Sequence, residues 1–331
     1  MARTHQALSY NDIRDAVDCI AGAVRPVTLA PVDPGAIPSS GVGQCQVWLA
    51  LEFMQFSGSV KLRGAQNLVS THREDATLPT AGLTIACAGN AGLACAWAAK
   101  TTATRAAVFV PATTPTRRID ELQALDADVR RAGVLQSEAE AACRDYAASS
   151  GALLVDASQD RLFAAGLGTL MVEIHQQIPD LDTVMVAVGS GGLLTGIATA
   201  ASHFGVRTVA VEHEDHCGLH VALELGPVVE IGIDLIAADT LEARRVSAMA
   251  LDAAQRFDVR SILVSDNDIA AARKALWEHR RLMVEPAGAT ALAGLLTGAY
   301  TPEPGENVCV VLSGANIDQW SPPFRQPDYP R

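Results

Sequence analysis

Lys61 is the residue of this sequence whose side chain is best placed for covalent chemistry. It lies in a turn rich in serine and glycine, Ser-Gly-Ser-Val-Lys-Leu-Arg-Gly-Ala at residues 57–65, between an apolar run at 47–53 and a segment with a helical pattern. Partial burial lowers the pKa of a lysine amine, and a neutral amine attacks a carbonyl group to form a Schiff base. A solvated lysine near the start of a helix is the competing interpretation, and the turn alone does not decide between the two.

A second candidate is an anion-binding turn at residues 188–193, Val-Gly-Ser-Gly-Gly-Leu, which follows an apolar run and opens a helical segment. Glycine lets the backbone approach a ligand closely, and the N-terminus of a helix favours negative charge, so this turn could hold a phosphate without a cationic side chain. It matches neither the dinucleotide pattern GxGxxG nor the Walker A pattern. A tight connection from strand to helix with no ligand is the alternative.

Three further glycine-bearing turns have a similar setting. They are Cys-Ala-Gly-Asn-Ala-Gly at 87–92, Glu-Pro-Ala-Gly-Ala at 285–289 and Leu-Ser-Gly-Ala-Asn at 312–316. Asn90 could cap the helix that follows it or present its amide to a ligand oxygen. Because the carboxyl ends of parallel strands meet at one edge of a sheet, the four turns together predict a ligand site at that edge.

The elements that would position these turns are strands alternating with alanine-rich helices. Strand-length apolar runs occur at 46–52, 83–86, 106–110, 152–155, 184–188, 208–211, 262–264 and 308–312. A helix is predicted at 10–24, because Ser9 and Asp12 can form a capping box and apolar residues recur at helical spacing. Strands that are apolar on both faces indicate a largely parallel sheet covered by helices, so the predicted fold class is α/β.

The composition indicates a packed globular protein whose main partner is neither nucleic acid nor a membrane. The 331 residues are 49% hydrophobic, and 37 acidic residues against 25 Lys and Arg give a formal net charge of -12, which disfavours binding to nucleic acid or anionic lipid. The sequence has no signal peptide and no apolar run of about 18 residues, so we expect a cytoplasmic protein. The seven cysteines form no CxxC pair and are expected to be reduced.

Two polar clusters are interpreted as solvated. Residues 212–216, Glu-His-Glu-Asp-His, contain possible metal ligands without a known ligand spacing, so we predict a solvated loop and no metal site. The pair Arg117 and Arg118 is predicted to lie on a solvated face rather than at a phosphate site.

Five motifs resemble, in their order and separations, those of the fold-type II pyridoxal-phosphate enzymes (the tryptophan synthase beta-like fold): SGSVKLRGA, CAGNAG, GSGGL, EPAGA and SGANID. Within that group they most resemble the serine/threonine dehydratase, or ammonia-lyase, family, which also includes the serine racemases. The resemblance implies two α/β domains with mostly parallel sheets and pyridoxal 5'-phosphate in the cleft between them. It further implies a discontinuous large cofactor-binding domain at 1–72 plus 153–331, a small mobile substrate domain at 73–152, and a homodimer.

The same resemblance implies roles for individual residues. Lys61 would bind the cofactor covalently, Asn90 would hydrogen-bond its ring hydroxyl, and Ser313 would face its pyridine nitrogen. Glu285 would also contact the cofactor. The cofactor phosphate would lie on the residues of the glycine-rich turn: Gly189, Ser190, Gly191, Gly192 and Leu193. The substrate would be bound by six residues: Ser59, Cys87, Ala88, Gly89, Asn90 and Ala91.

The implied reaction is β-elimination from serine, threonine or a related β-hydroxy amino acid, which gives a 2-oxo acid and ammonia. Lys61 would take the α-proton, and a hydroxyl at Ser313 forms no ion pair with the ring nitrogen, which favours prompt loss of a β-leaving group. The chain departs from the family pattern at Cys87, where many members have serine, and at Ala91, where a histidine often follows the asparagine. Ala88 stands where racemases have a proton-transferring serine, so racemase activity is not expected.

Two other functions stay open on the sequence alone. A β-replacement synthase of the cysteine-synthase kind has the same fold, and Ser59-Val60-Lys61 matches its pattern slightly better than the dehydratase form with phenylalanine. The continuation LRGA and the ending SGANID favour elimination. A catalytically silent protein that binds pyridoxal phosphate is the third interpretation, which the substitutions at Cys87 and Ala91 keep open.

Overall fold

Two separate sheets, with ten strands between them, are present in the computed structural model, which describes residues 7–33, 45–225 and 246–317. In chain order the strands are β1 (Leu29–Pro31), β2 (Gln46–Ala50), β3 (Leu83–Ala86), β4 (Ala106–Val110), β5 (Asp128–Arg131), β6 (Leu153–Leu154), β7 (Thr183–Ala187), β8 (Arg207–His213), β9 (Arg260–Val264) and β10 (Asn307–Val311). Each apolar run singled out in the sequence contains one of these strands or most of one, and the α/β fold class is confirmed.

The larger sheet has six strands in the order β1-β2-β10-β7-β8-β9. β1 pairs with β2 in the antiparallel direction, and all the other neighbouring strands are parallel. The carboxyl ends of β2, β10 and β7 therefore lie side by side at one edge. Since the turns after these strands lead to Lys61, Ser313 and Gly189, the sheet brings three of the candidate turns together.

The smaller sheet has four parallel strands in the order β5-β4-β3-β6. The turn with Cys87 and Asn90 follows β3, one of the two central strands. β6 belongs to this sheet although it begins at Leu153, just beyond the end of the small domain predicted at 73–152. The division into two domains stays a prediction.

Helices cover the sheets and carry most of the buried alanines. They are α1 (Tyr10–Cys19), α2 (Lys61–Glu74), α3 (Asn90–Thr101), α4 (Thr116–Ala124), α5 (Gln136–Ser150), α6 (Arg161–Gln177), α7 (Gly192–His203), α8 (Gly218–Leu225), α9 (Ala248–Arg256), α10 (Asp266–Arg280) and α11 (Pro286–Leu296). The predicted capping box of Ser9 and Asp12 is present, but the helix ends at Cys19 and not at residue 24. Gly22, with a φ of 76°, lies in the turn that follows.

The first turn of α2 is fixed by a buried cluster of ion pairs around Arg63. Its Nε and Nη2 atoms each donate to the carboxylate of Glu52 at 2.8 Å, and Nη1 and Nη2 donate to Glu173 at 2.7 and 2.9 Å. Glu52 follows β2 and Glu173 lies on α6, so the cluster joins three elements. Gly64 packs so closely on α6 that a Cβ atom there would lie 2.3 Å from Cδ1 of Phe163. Lys61 thus starts a helix with rigid support.

The interior of both sheets is apolar. Every residue of the central strands β4 and β7 is buried, which accounts for their apolar sequences, interrupted only by Thr183 at the start of β7. Of the helices in the described ranges, none combines the length and the apolar character needed to cross a membrane.

Candidate active site

The turn that carries Lys61 is bound to the turn after β10. The backbone N–H of Val60 donates to the carbonyl of Ser313 at 2.8 Å, and the N–H of Ala315 donates to the carbonyl of Gly58 at 3.0 Å. An isolated antiparallel bridge joins Ser59 to Gly314 between these two bonds. The predicted neighbours Lys61 and Ser313 are therefore held on adjacent backbone segments.

The amine of Lys61 forms no ion pair with the other charged groups that the structure describes. Its side chain is partly buried, and within the described part of the chain Nζ makes no hydrogen bond. Burial lowers the pKa of the amine below its ordinary value, while the nearby groups Cys87 and Glu285 act in the opposite direction. An amine with a lowered pKa is more often neutral, which is the form that reacts with a carbonyl group.

Two hydroxyl groups on the same turn are buried without a partner. Oγ of Ser57 and Oγ of Ser59 have no hydrogen-bond partner among the described residues, although the two side chains are 7% and 0% exposed. An unpaired buried hydroxyl is unfavourable unless a ligand completes its bonds. The donors around Lys61 therefore fit a polar group bound next to the amine.

The glycine-rich turn after β7 has the backbone geometry of an anion cradle. Gly191, with a φ of 96°, precedes the first residue of α7, Gly192. A Cβ atom at Gly191 would lie 2.3 Å from Cβ of Ala250, and one at Gly192 would lie 2.5 Å from the carbonyl oxygen of Ala157. The first N–H groups of a helix have no acceptor within the helix, so this turn offers free donors and a favourable dipole to a phosphate. These residues fit the phosphate of the expected cofactor.

Asn90, Glu285 and Asn316 form a hydrogen-bonded network next to the lysine turn. Nδ2 of Asn90 donates to Oε1 of Glu285, and Oδ1 of Asn90 accepts from Nδ2 of Asn316 at 2.6 Å. The backbone N–H of Asn316 donates to the second oxygen of Glu285 at 3.1 Å. Glu285 is 1% exposed, and burial raises the pKa of its carboxyl group, while the bonds from Asn90 and Asn316 act against that rise. Asn90, which follows strand β3 of the smaller sheet, is thereby joined to the N-cap of α11 and to the turn after β10 of the larger sheet.

The turn that contains Cys87 closes tightly at the start of α3. A Cβ atom at Gly92 would lie 1.9 Å from the carbonyl oxygen of Cys87, so only glycine allows this path. Gly89 is the N-cap residue of α3, and Ala88 and Ala91 are half-buried beside it. The thiol of Cys87 is near enough to Lys61 to affect the pKa of its amine, so this turn lies next to Lys61. The substrate-binding roles of its residues stay predictions.

Sequence reasoning missed two residues of this region, Asn316 and Arg118. Asn316 lies in a turn that was predicted to line the site, but nothing in its type distinguished it from an ordinary turn residue. Arg118 was predicted to be solvated, and this is wrong: its side chain is 19% exposed, and Nη2 donates to the carbonyl of Asn316 at 2.7 Å. Arg117 likewise donates to the carbonyl of Ile317. Only the tertiary contact between α4 and this turn reveals either role.

The predicted solvated loop at 212–216 is also wrong for its first two residues. Glu212 and His213 end strand β8 and are 0% and 3% exposed. The carboxylate of Glu212 accepts from the backbone N–H groups of Leu219 and His220, both at 2.8 Å, and so caps α8. Burial raises the pKa of Glu212 to about 7. Within the described ranges, no group of three or more His, Cys, Asp or Glu side chains is arranged to hold a metal ion.

Comparison with protein families gives one match that covers most of the chain. Residues 34–314 match the model of the family described as pyridoxal-phosphate dependent enzyme. Lys61 lies within the matched region, and all four glycine-bearing turns begin within it.

Three proteins with a similar sequence or structure have names that refer to the deamination or dehydration of threonine. The chain is 34% identical to an L-threonine ammonia-lyase of Geobacter sulfurreducens, over 82% of this chain and 67% of that protein. It is 31% identical to a biosynthetic L-threonine dehydratase of Haemophilus influenzae, over 82% of this chain, and spans about half (53%) of that relative. The crystal structure of a T.th. threonine deaminase superposes with a TM-score of 0.84 at 26% identity, covering 95% of this chain and 100% of the other.

Proposed function

The chain belongs to the family of pyridoxal-phosphate dependent enzymes, and from this premise we propose that it is an ammonia-lyase for serine, threonine or a related β-hydroxy amino acid. The reaction is β-elimination, which yields a 2-oxo acid and ammonia. The observation that carries the proposal is the partly buried amine of Lys61, whose pKa is lowered by burial and which lies beside Cys87 and Glu285. The similarity to threonine ammonia-lyases and dehydratases supports elimination rather than another reaction of the family.

The residues that would hold the cofactor come from both sheets. Lys61 would form the covalent bond, the backbone N–H groups of the turn at 189–193 would bind the phosphate, and Asn90 and Ser313 would contact the ring. When bound, pyridoxal phosphate supplies an electron sink for negative charge at the α-carbon of an amino acid. The unpaired hydroxyls of Ser57 and Ser59 support the presence of a polar group at this place.

Different groups of the site would bind the substrate and transfer its α-proton. The amine of Lys61, whose pKa is lowered by burial, would accept the α-proton at Nζ. The N–H groups at the start of α3, next to Cys87, would hold the carboxylate of the substrate, since a helix N-terminus favours an anion. Ser313 offers a hydroxyl and no carboxylate to the ring, so no ion pair from this residue would stabilise a long-lived carbanion.

Three further features are part of this proposal. The segment 73–152 would be a small substrate domain that moves against the rest of the chain, 1–72 plus 153–331. The protein would act as a homodimer, which is the usual assembly of the family it resembles. A cytoplasmic location is proposed as well, because none of the seven cysteines forms a disulfide.

The direct test is an assay of 2-oxo acid and ammonia formation by the purified protein with serine, threonine and O-acetylserine, each with and without sulfide. We expect pyruvate from serine and 2-oxobutanoate from threonine, with ammonia in equal amounts. Efficient cysteine formation from O-acetylserine and sulfide without pyruvate would show a β-replacement synthase instead. Cofactor absorbance without turnover of any substrate would show a silent binding protein.

A further inference from the structure

Asn316 lies where four segments of the chain meet. Its backbone N–H donates to Glu285 at 3.1 Å, and its carbonyl accepts from Arg118 at 2.7 Å. Its side-chain Nδ2 donates to the carbonyl of Ser57 at 2.9 Å and to Oδ1 of Asn90 at 2.6 Å. These partners belong to the lysine turn, the start of α3, the N-cap of α11 and helix α4. One residue therefore links the turn of Lys61 to both sheets.

The amide of Asn316 is held in one orientation. Both of its N–H bonds are used, one towards Ser57 and one towards Asn90. Its oxygen lies against Gly58, which has a φ of 74°, and a Cβ atom at Gly58 would lie 2.3 Å from Oδ1 of Asn316. A glycine at position 58 is therefore required for the amide to lie where it does.

The orientation of Asn316 determines that of Asn90. In the observed arrangement Oδ1 of Asn90 faces an N–H donor of Asn316, and Nδ2 of Asn90 faces the carboxylate of Glu285. A flipped Asn90 would place two NH₂ groups against each other and its oxygen against the carboxylate, which is costly at a buried site. With one N–H of Asn90 donated to Glu285, the other remains for a ligand.

We propose that Asn316 is a positioning residue for the lyase reaction, an inference that rests on the function proposed above. It keeps the amide of Asn90 turned so that its remaining N–H binds an oxygen of the cofactor, and it ties that amide to the lysine turn through Ser57. Arg118 holds the backbone carbonyl of Asn316 and so connects α4 to the same arrangement. Asn316 itself acts through Asn90.

A double-mutant cycle on cofactor affinity tests this coupling. The dissociation constant of pyridoxal phosphate is measured from the holoenzyme by equilibrium dialysis for wild type, Asn90→Ala, Asn316→Ala and the double variant. Each single change is expected to weaken binding about tenfold, because it removes a buried hydrogen bond and leaves a partner unsatisfied. If Asn316 acts through Asn90, the double variant is no weaker than about tenfold, whereas independent effects would give about a hundredfold.

Two further variants separate positioning from a general loss of structure. Asn307→Ala is the matched control, because Asn307 begins strand β10, which leads to the turn of Asn316, and its amide binds Asp180, away from the site. The affinity of this variant for the cofactor is expected to be unchanged. Asn316→Asp keeps the size of the side chain but offers no N–H while it is ionised. It is expected to weaken cofactor binding about as much as Asn316→Ala, and to add no further loss when it is combined with Asn90→Ala.

An additive cycle, or an Asn316→Ala variant with wild-type affinity, would overturn the inference. Wild-type affinity of Asn316→Asp would do the same, since it would show that the N–H groups of this amide are not needed for cofactor binding. These results are distinct from failure of the proposed function: a wild-type protein that binds the cofactor but forms no 2-oxo acid refutes the lyase, while the cycle can still be measured.

Discussion

Two basic residues in the first turn of α2, Lys61 and Arg63, differ in whether carboxylates pair with their side chains. Arg63 is fully buried and donates to the carboxylates of Glu52 and Glu173 with both its Nε and Nη atoms. Lys61 has no hydrogen-bond partner at Nζ among the described residues. Burial alone would lower the pKa of Arg63, but the two carboxylates raise it, whereas burial lowers the pKa of Lys61.

The two residues therefore have different roles: Arg63 stabilises the start of helix α2, and Lys61 is available to react. A cation paired with two carboxylates is locked in its charged form and fixes the helix, because removal of either partner leaves a buried charge. An amine without such partners has its neutral form favoured and is free to bond to a ligand. We infer that the paired arginine provides the rigid support that the unpaired lysine needs, two residues earlier on the same helix.

The largest effect is expected from Lys61→Ala, which removes the reactive member of the pair. The rate of 2-oxo acid formation should fall by about 10³-fold or more, because the alanine can neither bond to the cofactor nor accept a proton. The thermal midpoint of the cofactor-free protein should stay within a few degrees of wild type, since no ion pair is lost. Lys274→Ala, which changes a lysine that is 57% exposed, is the control and should be fully active. Substantial activity of Lys61→Ala would refute the role of this residue.

Arg63→Met should instead act on stability. Loss of the guanidinium leaves the buried Glu52 and the partly buried Glu173 without their cation, so the free energy of unfolding should fall by about 3–5 kcal/mol. Urea denaturation followed by circular dichroism measures this change. The matched surface variant is Arg14→Met, whose ion pair with Asp15 is mostly exposed and should change stability by about 0.5 kcal/mol or less. Equal effects of the two changes would show that the buried cluster is not a support.

Glu212 is a buried acid whose carboxylate accepts hydrogen bonds from backbone N–H groups, whereas Glu52 and Glu173 pair with the cation of Arg63. Its pKa is raised by burial from 4.5 to about 7, so between these values the folded protein keeps a proton that the unfolded chain has released. The free energy of unfolding should therefore decrease with rising pH over this range, with a slope from this group of at most about 1.4 kcal/mol per pH unit.

Urea denaturation across this pH range for wild type and Glu212→Gln isolates the contribution. The variant should lack the additional slope, whereas Glu214→Gln, a change at an exposed neighbour, should retain it. An unchanged slope in Glu212→Gln would mean that this carboxyl group titrates alike in the folded and unfolded states.

The smallest effect is expected from Cys87→Ser, which changes a group beside Lys61 without touching a charge pair. A hydroxyl is a stronger hydrogen-bond donor than a thiol, so the ratio of kcat/KM values for serine and threonine should shift by about three- to tenfold while cofactor binding is kept. Steady-state kinetics with both substrates measures the ratio. Cys217→Ser, at the start of α8, should leave it unchanged; a loss of cofactor from Cys87→Ser would point to a different role.

Much of the fold could be predicted from local patterns, because the central strands are mostly apolar. The run predicted at 106–110 is strand β4, with the same bounds. β5, with the sequence Asp-Val-Arg-Arg, is an edge strand whose polar residues conceal it. The helix predicted at 10–24 was too long, because apolar spacing continues to Val24 while the backbone already turns at Gly22.

The site was predictable only in part. Residue types and glycines indicate Lys61 and the turns at 87–92, 188–193 and 312–316, because covalent chemistry and phosphate binding need particular residues at strand ends. The turn at 285–289 was predicted to have the same setting, and this is wrong, because it joins α10 to α11 and follows no strand. The contacts of Asn316 and Arg118, in contrast, join positions about 200 residues apart, and no local pattern contains such information. The burial of Glu212 was missed for the same reason, because its partners come from the following helix α8.

Reduction of the purified protein with borohydride, followed by peptide mass spectrometry, tests the central claim most directly, because it fixes a cofactor on the lysine that carries it. The lysines of the chain are Lys61, Lys100 and Lys274. We predict a phosphopyridoxyl group on the peptide that contains Lys61 and on neither of the others. A modification confined to Lys100 or Lys274, or a protein that yields no modified peptide after incubation with pyridoxal phosphate, would contradict the account.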